Sequence, residues 1–392
     1  MLTTLYAIEP LVPEDRRQKL EDLATDLVDR AGRLAGRVHP IMQESLGDLV
    51  RAMNCYYSNL IEGHDTHPVD IDRALAGDFA HDRAQRNLQL EARAHIEVQQ
   101  MIDRGQAPAP VVSVDFLLWV HREFCARLPD ELLWVENRET GERLPVVPGA
   151  LRETHVRVGR HIAPEPAELP AFLERFVAAY GSGSLGRLRR IIAVAAAHHR
   201  LLWIHPFLDG NGRVARLFSY ALLHELNVGS SLWSVARGLA RQQQAYKAAL
   251  QAADEPRRGD LDGRGNLSLA GLEEFSAFFL DACVDQVTFM DALFEPQELL
   301  NRMEIWTTEE VRARRLPKGS WPLLREAALA GEFPRGRAAE LTGYEERQAR
   351  TVLSKLMGAC LLVSNSDKGP VRLGFPIGVV ERWFPRLYPT LG

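Results

Sequence analysis

Twelve consecutive residues, His205-Pro206-Phe207-Leu208-Asp209-Gly210-Asn211-Gly212-Arg213-Val214-Ala215-Arg216, concentrate the chemistry this chain can offer. His205 titrates near neutrality and can take a proton from an attacking hydroxyl. Asp209 is a hard oxygen ligand of the kind that holds Mg²⁺ together with substrate phosphates. Gly210 and Gly212 lack a Cβ, so backbone N–H groups can approach an oxyanion closely. Asn211 adds a side-chain amide donor. Arg213 and Arg216 are three apart and share a helix face, and the guanidinium fork suits phosphate oxygens. The set reads as a device that holds a nucleotide's phosphates while a hydroxyl attacks one of them.

The elements on either side must position that loop. Upstream, residues 191–197 are almost wholly apolar and lead to His198, Leu201, Leu202 and Trp203, which predicts a buried helix. Downstream, Val214, Leu217, Phe218, Ala221, Leu222 and Leu226 recur at helical spacing. Pro206 ends the first helix at His205. The glycines then open the second helix, where unpaired N–H groups and the helix dipole favour phosphate.

This run resembles the signature of the Fic family, H-x-F-x-[D/E]-G-N-G-R-x-x-R, at every specified position. The resemblance implies transfer of AMP from ATP to a Ser, Thr or Tyr hydroxyl of a target protein. It implies His205 as general base and Asp209 as Mg²⁺ ligand. It makes Gly210, Asn211 and Gly212 the anion hole, with Asn211 also touching phosphate. Arg213 and Arg216 are then nucleotide-binding, Arg216 at the γ-phosphate. Doc-type kinases are similar but place a Lys where this chain has Gly212.

A second motif lies earlier. Leu46, Leu49, Val50, Met53, Tyr57, Leu60 and Ile61 form an amphipathic stripe that stops at Gly63, predicting a helix over about 45–63. Ser58 and Glu62 are four apart on one face. By itself this is an ordinary Ser and Glu at a helix end. Ser58 to Gly63 also resembles the Fic inhibitory motif, [S/T]-x-x-x-E-[G/N], which implies that Glu62 pairs with Arg216 and hinders ATP. In some relatives the same Glu assists removal of AMP, so that reaction stays open.

Residues 153–164 predict a β-hairpin. His155-Val156-Arg157-Val158 alternates, Gly159-Arg160 turns, and His161-Ile162-Ala163 returns. The segment resembles the Fic flap, whose edge takes a target strand, with Val156, Val158 and Gly159 at that edge; a structural hairpin is the alternative. Arg138 and residues 144–152 match the loop preceding such a hairpin. Tyr246 and Leu250 resemble a Y-x-x-x-L element that follows the site in many Fic proteins, and core packing is the competing reading.

Composition bounds the rest. Hydrophobic residues are 46% and charged residues 25%, which fits a globular chain of two or three domains. The net charge of −5 argues against nucleic acid as the main partner of the whole chain. Residues 306–392 carry 14 Lys+Arg against 9 Asp+Glu, a net +5 that leaves −10 elsewhere. Four scattered cysteines lack metal-ligand spacing, and neither a signal peptide nor a membrane span is evident, so a reducing cytoplasm is expected.

The expected fold is mainly α: a Fic-fold helical core with a β-hairpin flap and a small C-terminal winged helix of the α+β type. The expected divisions are an N-terminal helical region at 1–110, a catalytic core at 111–295, a linker at 296–319 and the winged helix at 320–392. In that last module a helix over Glu345–Met357 exposes Arg347, Gln348, Arg350 and Lys355, so DNA is a candidate partner, with protein the alternative. A homodimer stays open. Three functions compete: an AMP transferase restrained by Glu62, an enzyme of the same fold that removes AMP, and a nucleotide-sensing DNA-binding regulator.

Overall fold

A computed structural model describes residues 5–13, 17–136, 141–181, 183 and 185–389. The apolar periodicities become helices: α1 (Arg17–Arg37), α2 (Pro40–Glu62), α3 (Pro68–Leu75), α4 (Arg83–Asp103) and α5 (Val114–Cys125). Two short antiparallel hairpins follow, β1 (Trp134–Glu136) with β2 (Arg143–Pro145) and β3 (Arg157–Val158) with β4 (His161–Ile162). Helices then resume as α6 (Leu169–Tyr180), α7 (Arg187–Ile204), α8 (Asn211–Glu225), α9 (Ala236–Arg241), α10 (Gln243–Asp254) and α11 (Leu269–Leu293). The remainder is α12 (Pro296–Arg312), α13 (Ser320–Ala330), β5 (Glu332–Phe333), α14 (Ala338–Thr342), α15 (Glu346–Gly358), β6 (Leu362–Val363), β7 (Val371–Leu373) and α16 (Ile377–Trp383). The protein is mainly helical, as expected.

Two units divide these elements: Met1–Ala31 with Asn54–Val287, and Gly32–Met53 with Thr288–Gly392. In the first, α7 is the central element. Its residues from Ile191 to Leu201 are buried on all sides, which explains why that stretch shows no polar face. It packs on α6, α8 and α10, while α5 packs on α4 and α8. Phe116, Phe176 and Phe218 fill this core with contacting rings. The second unit holds a three-stranded antiparallel sheet in the order β5-β7-β6, against which α13 lies.

The boundaries differ from the expected divisions. Residues 1–110 do not stand apart, since 54–110 belong to the unit that carries the His205–Arg216 run. Residues 296–319 are not a linker. They contain α12, whose Leu299, Met303 and Trp306 are buried, and which packs on α13 and α16. The physical reason is a stripe at three- to four-residue spacing behind Pro296 in the first turn, which is a helix start. The β1–β2 hairpin was likewise not foreseen. Arg138 lies outside the described residues.

Among the described residues, no helix is long and apolar enough to cross a membrane. All four cysteines are free; Cys55, Cys125 and Cys283 are buried and Cys360 is exposed.

Candidate active site

The loop is built as its sequence dictates. Helix α7 ends at Ile204, and His205 takes a left-handed conformation, φ 49°, with its N–H donating to the Leu201 carbonyl at 3.1 Å. Phe207 is fully buried and anchors the turn. Asn211 closes it: Oδ1 accepts from the Phe207 N–H at 3.0 Å and Nδ2 donates to the Phe207 carbonyl at 2.8 Å. Gly210, at φ 78°, caps α8, a geometry that disfavours a side chain. Losing both Asn211 bonds leaves a buried amide pair without partners. Asn211→Ala is therefore expected to destabilise the protein by about 1–3 kcal/mol, read as a lowered urea midpoint; an unchanged midpoint would contradict this bracing role.

Two residues outside the run complete the support. The His121 ring stacks on Phe207 at 4.0 Å, accepts from the Gly149 N–H at 2.9 Å and bonds the Asp209 backbone. Arg152 donates to the carbonyls of His205, Thr154 and Pro164 at 2.8, 2.8 and 2.6 Å. It ties the loop to the segment carrying the β3–β4 hairpin.

A cavity of about 1220 Å³ opens beside the loop, lined by His205, Gly212, Arg216, Glu62 and Tyr246, and by residues 158–162 of the hairpin. That exceeds the usual volume of a small-molecule site, roughly 300–1,000 Å³. His205 Nδ1 lies 3.3 Å from the Leu202 carbonyl oxygen, which can only accept. The proton therefore sits on Nδ1, and Nε2 keeps its lone pair.

Glu62 lines this cavity beside Arg216 and Gly212. Gly63, at φ 86°, ends α2; its N–H donates to Leu60 O and the His64 N–H to Asn59 O, the paired bonds of a Schellman cap. That stop places Glu62 at the helix end, where Oε1 accepts from Arg216 Nη2 at 2.5 Å. Arg216 Nε donates to Ser58 Oγ at 2.8 Å and Nη2 to the Ser58 carbonyl at 3.2 Å. Arg216 is buried, whereas the Glu62 side chain is 31% exposed. A Cβ on Gly212 would collide with Glu62 Oε1, so the carboxylate lies directly over the start of α8.

Arg213 has a separate partner. It pairs with Glu91 of α4 and lies 5.3 Å over the Phe124 ring. His64 Nδ1 stands 2.9 Å from Glu91 Oε2.

Burial dominates the electrostatics. It lowers the pKa of His205 to about 4, outweighing the Leu202 hydrogen bond. It lowers His121 to about 4, and lowers His95 and His198 to about 3, with Arg216 adding to the last two. For Glu62, burial raises the pKa, but Arg216, Arg213 and His64 together hold it below the usual carboxylate range. Four neutral histidines have a consequence for stability. Their folded pKa values are depressed, so the unfolded chain binds more protons as pH falls below about 6.5. Their contribution is complete above that pH and is lost progressively toward pH 3–4. A urea midpoint that falls steadily between pH 7 and 5 is expected; a flat profile would contradict it.

The structure thus gathers His205, Gly210, Asn211, Gly212, Arg213, Arg216, Ser58 and Glu62 around one turn. Asp209 is exposed at the loop's edge. Both ends of the Asn211 amide are engaged on Phe207, which leaves its second Nδ2 hydrogen as the remaining donor. The hairpin is shorter than 153–164: its paired strands are Arg157–Val158 and His161–Ile162, extended by the Ala163 N–H donating to the Val156 carbonyl. Gly159 turns at φ 61°, and Val158 is 48% exposed. Sequence reading missed Glu91, His64, His121 and Arg152. Glu91, His95 and Gln99 do leave a trace, polar residues four apart on the buried face of α4. Nothing local marks Arg152.

Comparison with known proteins agrees with this geometry. The Fic/DOC family profile matches residues 111–223. Protein adenylyltransferase Fic of Drosophila grimshawi is 38% identical over 93 residues, which is 24% of this chain and 19% of that protein; the Drosophila melanogaster protein gives the same figures. The chain thus spans about a fifth of these curated relatives. Among solved structures, a Fic family protein from Desulfovibrio desulfuricans G20 superposes with a TM-score of 0.53 at 19% identity, covering 92% of this chain and 98% of that one. Fic-1 from C. elegans gives 0.54 at 16% identity, covering 71% and 73%. Residues 111–223, which carry the intact His205–Arg216 signature, are thus similar to the Fic/DOC family, and the helical fold is similar to that of solved Fic proteins.

Proposed function

We propose that the protein transfers AMP from ATP to a Ser, Thr or Tyr hydroxyl of a target protein, and that Glu62 restrains the reaction. The observation that carries this reading is the Glu62 carboxylate seated on Arg216 above Gly212, a position suited to a phosphate group. In the reaction a target hydroxyl attacks the α-phosphorus, His205 Nε2 takes its proton, the bridging P–O bond to the β-phosphate breaks, and pyrophosphate leaves. The N–H groups opening α8 stabilise the charge that develops on the α-phosphate oxygens. Arg216 holds the outer phosphates once Glu62 withdraws, and the exposed β3–β4 edge receives the target as an added strand. Asp209, a carboxylate exposed at the edge of the loop, fits Mg²⁺, which typically binds one or two carboxylates plus substrate phosphates. Bound there, the ion would neutralise phosphate charge.

The direct test incubates the protein with Mg²⁺ and ATP labelled at the α-phosphate, then at the γ-phosphate. Label retained on protein from the first and absent from the second supports AMP transfer. The reverse pattern would mark a kinase, and neither would favour removal of AMP or a different nucleotide.

A second reading concerns the C-terminal residues. The order α13-β5-α14-α15-β6-β7 with a β5-β7-β6 sheet supports a winged-helix reading. Arg347, Gln348, Arg350 and Lys355 are exposed on α15, as a recognition helix requires. Glu346 pairs with Arg350 at 3.0 Å, and Glu345 caps the helix, so acidic groups oppose phosphate at its start. Salt-dependent duplex binding that survives His205→Ala would favour a regulator.

A further inference from the structure

The last turn of α2 carries Glu62, and His64 follows it directly. The His64 N–H donates to the Asn59 carbonyl at 2.9 Å and the Gly63 N–H to that of Leu60 at 3.1 Å, so His64 moves with that turn. Its side chain reaches across to α4. There Nδ1 lies 2.9 Å from Glu91 Oε2 and 3.0 Å from Oε1. The same carboxylate accepts from Arg213 Nη2 in the first turn of α8. Glu91 is therefore the point that joins the end of α2, the middle of α4 and the start of α8.

A carboxylate only accepts, so the proton of the His64–Glu91 bond sits on Nδ1. Arg213 Nη2, 3.1 Å from the same Nδ1, is also a donor, and both converge on Glu91 rather than on each other. Nε2 then decides the charge of the ring. The Glu91 side chain is 5% exposed and that of His64 42%, so the imidazole can exchange protons with water while its partner stays buried. The charged groups facing it are Glu91 of α4, Arg213 of α8 and Glu62 of the preceding helix end. The hydrogen bond to Glu91 holds the His64 pKa above the usual 6.5; the charges of Glu91 and Glu62 add to this, and burial and Arg213 oppose it.

We infer that His64 is a positioning residue for the restraint: its bond to Glu91 pins the last turn of α2 to α4, and gain or loss of the Nε2 proton sets how firmly Glu62 sits on Arg216. The inference rests on the reading that Glu62 competes with phosphate for Arg216. With the ring charged, His64 and Glu91 form an ion pair that holds residues 62–64 tightly. As pH rises through the His64 pKa the bond becomes neutral and weaker, and the turn carrying Glu62 is released more readily. Arg213 keeps its charge throughout, so the start of α8 stays on Glu91 in both states. Lower pH thus tightens the restraint and higher pH loosens it. His95, His121, His198 and His205 are neutral above about pH 4 and do not change charge over this range.

The test measures the affinity of the full chain for Mg²⁺-bound α,β-methylene ATP, which cannot transfer AMP, by calorimetry between about pH 6 and pH 8.5. Each value is divided by that of Glu62→Gly at the same pH, which cancels the titration of the nucleotide and of every group that acts without Glu62. The wild-type ratio is expected to rise about threefold with pH, the scale of a partly exposed ion pair, with a midpoint matching the His64 titration followed by NMR. His64→Gln, which donates to Glu91 without charge, should hold the high-pH ratio throughout. His64→Arg, charged throughout, should hold the low-pH ratio, which a packing role would not produce. A wild-type ratio below one but flat with pH would overturn the inference. So would a pH step that survives unchanged in His64→Gln. A ratio of one at every pH would remove the restraint itself, and the role of His64 with it. If Glu62→Gly binds the analogue but transfers no AMP from ATP, the functional reading fails by itself, and the ratio still decides the role of His64.

Discussion

Glu62→Gly is expected to raise the initial rate of AMP transfer by about 10- to 100-fold, because it removes a charge-assisted bond that competes for Arg216. The pair is asymmetric. Arg216 is buried and also held by Ser58, whereas the Glu62 carboxylate is partly exposed at the end of α2. Withdrawal of Glu62 therefore costs less than withdrawal of Arg216, and the arginine stays in place for phosphate. The substitution also removes the anion lying over Gly212. Glu62→Gln separates charge from shape: it retains the side-chain volume and loses the ion pair, so an intermediate rate is expected. The measurement is the rate of α-label incorporation at fixed MgATP. A rate that is unchanged or lower in Glu62→Gly would sink the restraint and favour an enzyme in which Glu62 assists removal of AMP. The same variant should be less stable, since a buried guanidinium loses its counter-charge.

The largest loss is expected for His205→Ala in the Glu62→Gly background, about 10²- to 10⁴-fold in kcat, the usual contribution of a positioned general base. Affinity for ATP should change little, because His205 lies apart from the arginines expected to hold the phosphates. The pH dependence provides a second check. Burial holds the His205 pKa near 4, so the imidazole is neutral at every pH above that value. A base is competent when unprotonated, so the acid limb of kcat/KM should fall near pH 4 rather than near the unperturbed 6.5. An acid limb near 6.5, or residual AMP transfer above about a tenth of the parent rate, would remove His205 from the role of base.

How much of this was legible follows from contiguity. The chemistry of residues 205–216 could be read because one turn supplies it, and a turn brings near neighbours together whatever surrounds them. The same holds for Ser58 and Glu62, where helix geometry places residues four apart on one face. The α12 helix is equally readable from the spacing of Leu299, Met303 and Trp306.

Taken alone, then, the sequence determines the signature loop with its resemblance to the Fic family, the helical character of the chain and the sharp end of α2 at Gly63. Tertiary structure decides which distant side chains meet. Glu91 pairs with Arg213 across 122 residues, and Tyr246 bonds His198 across 48. No local periodicity encodes these pairs, because they arise where buried faces of separate helices press together. It also decides that residues 32–53 join the C-terminal unit while residue 54 onward joins the unit carrying the signature loop. Finally, it decides protonation: burial keeps His95, His121, His198 and His205 neutral, which no local sequence pattern encodes.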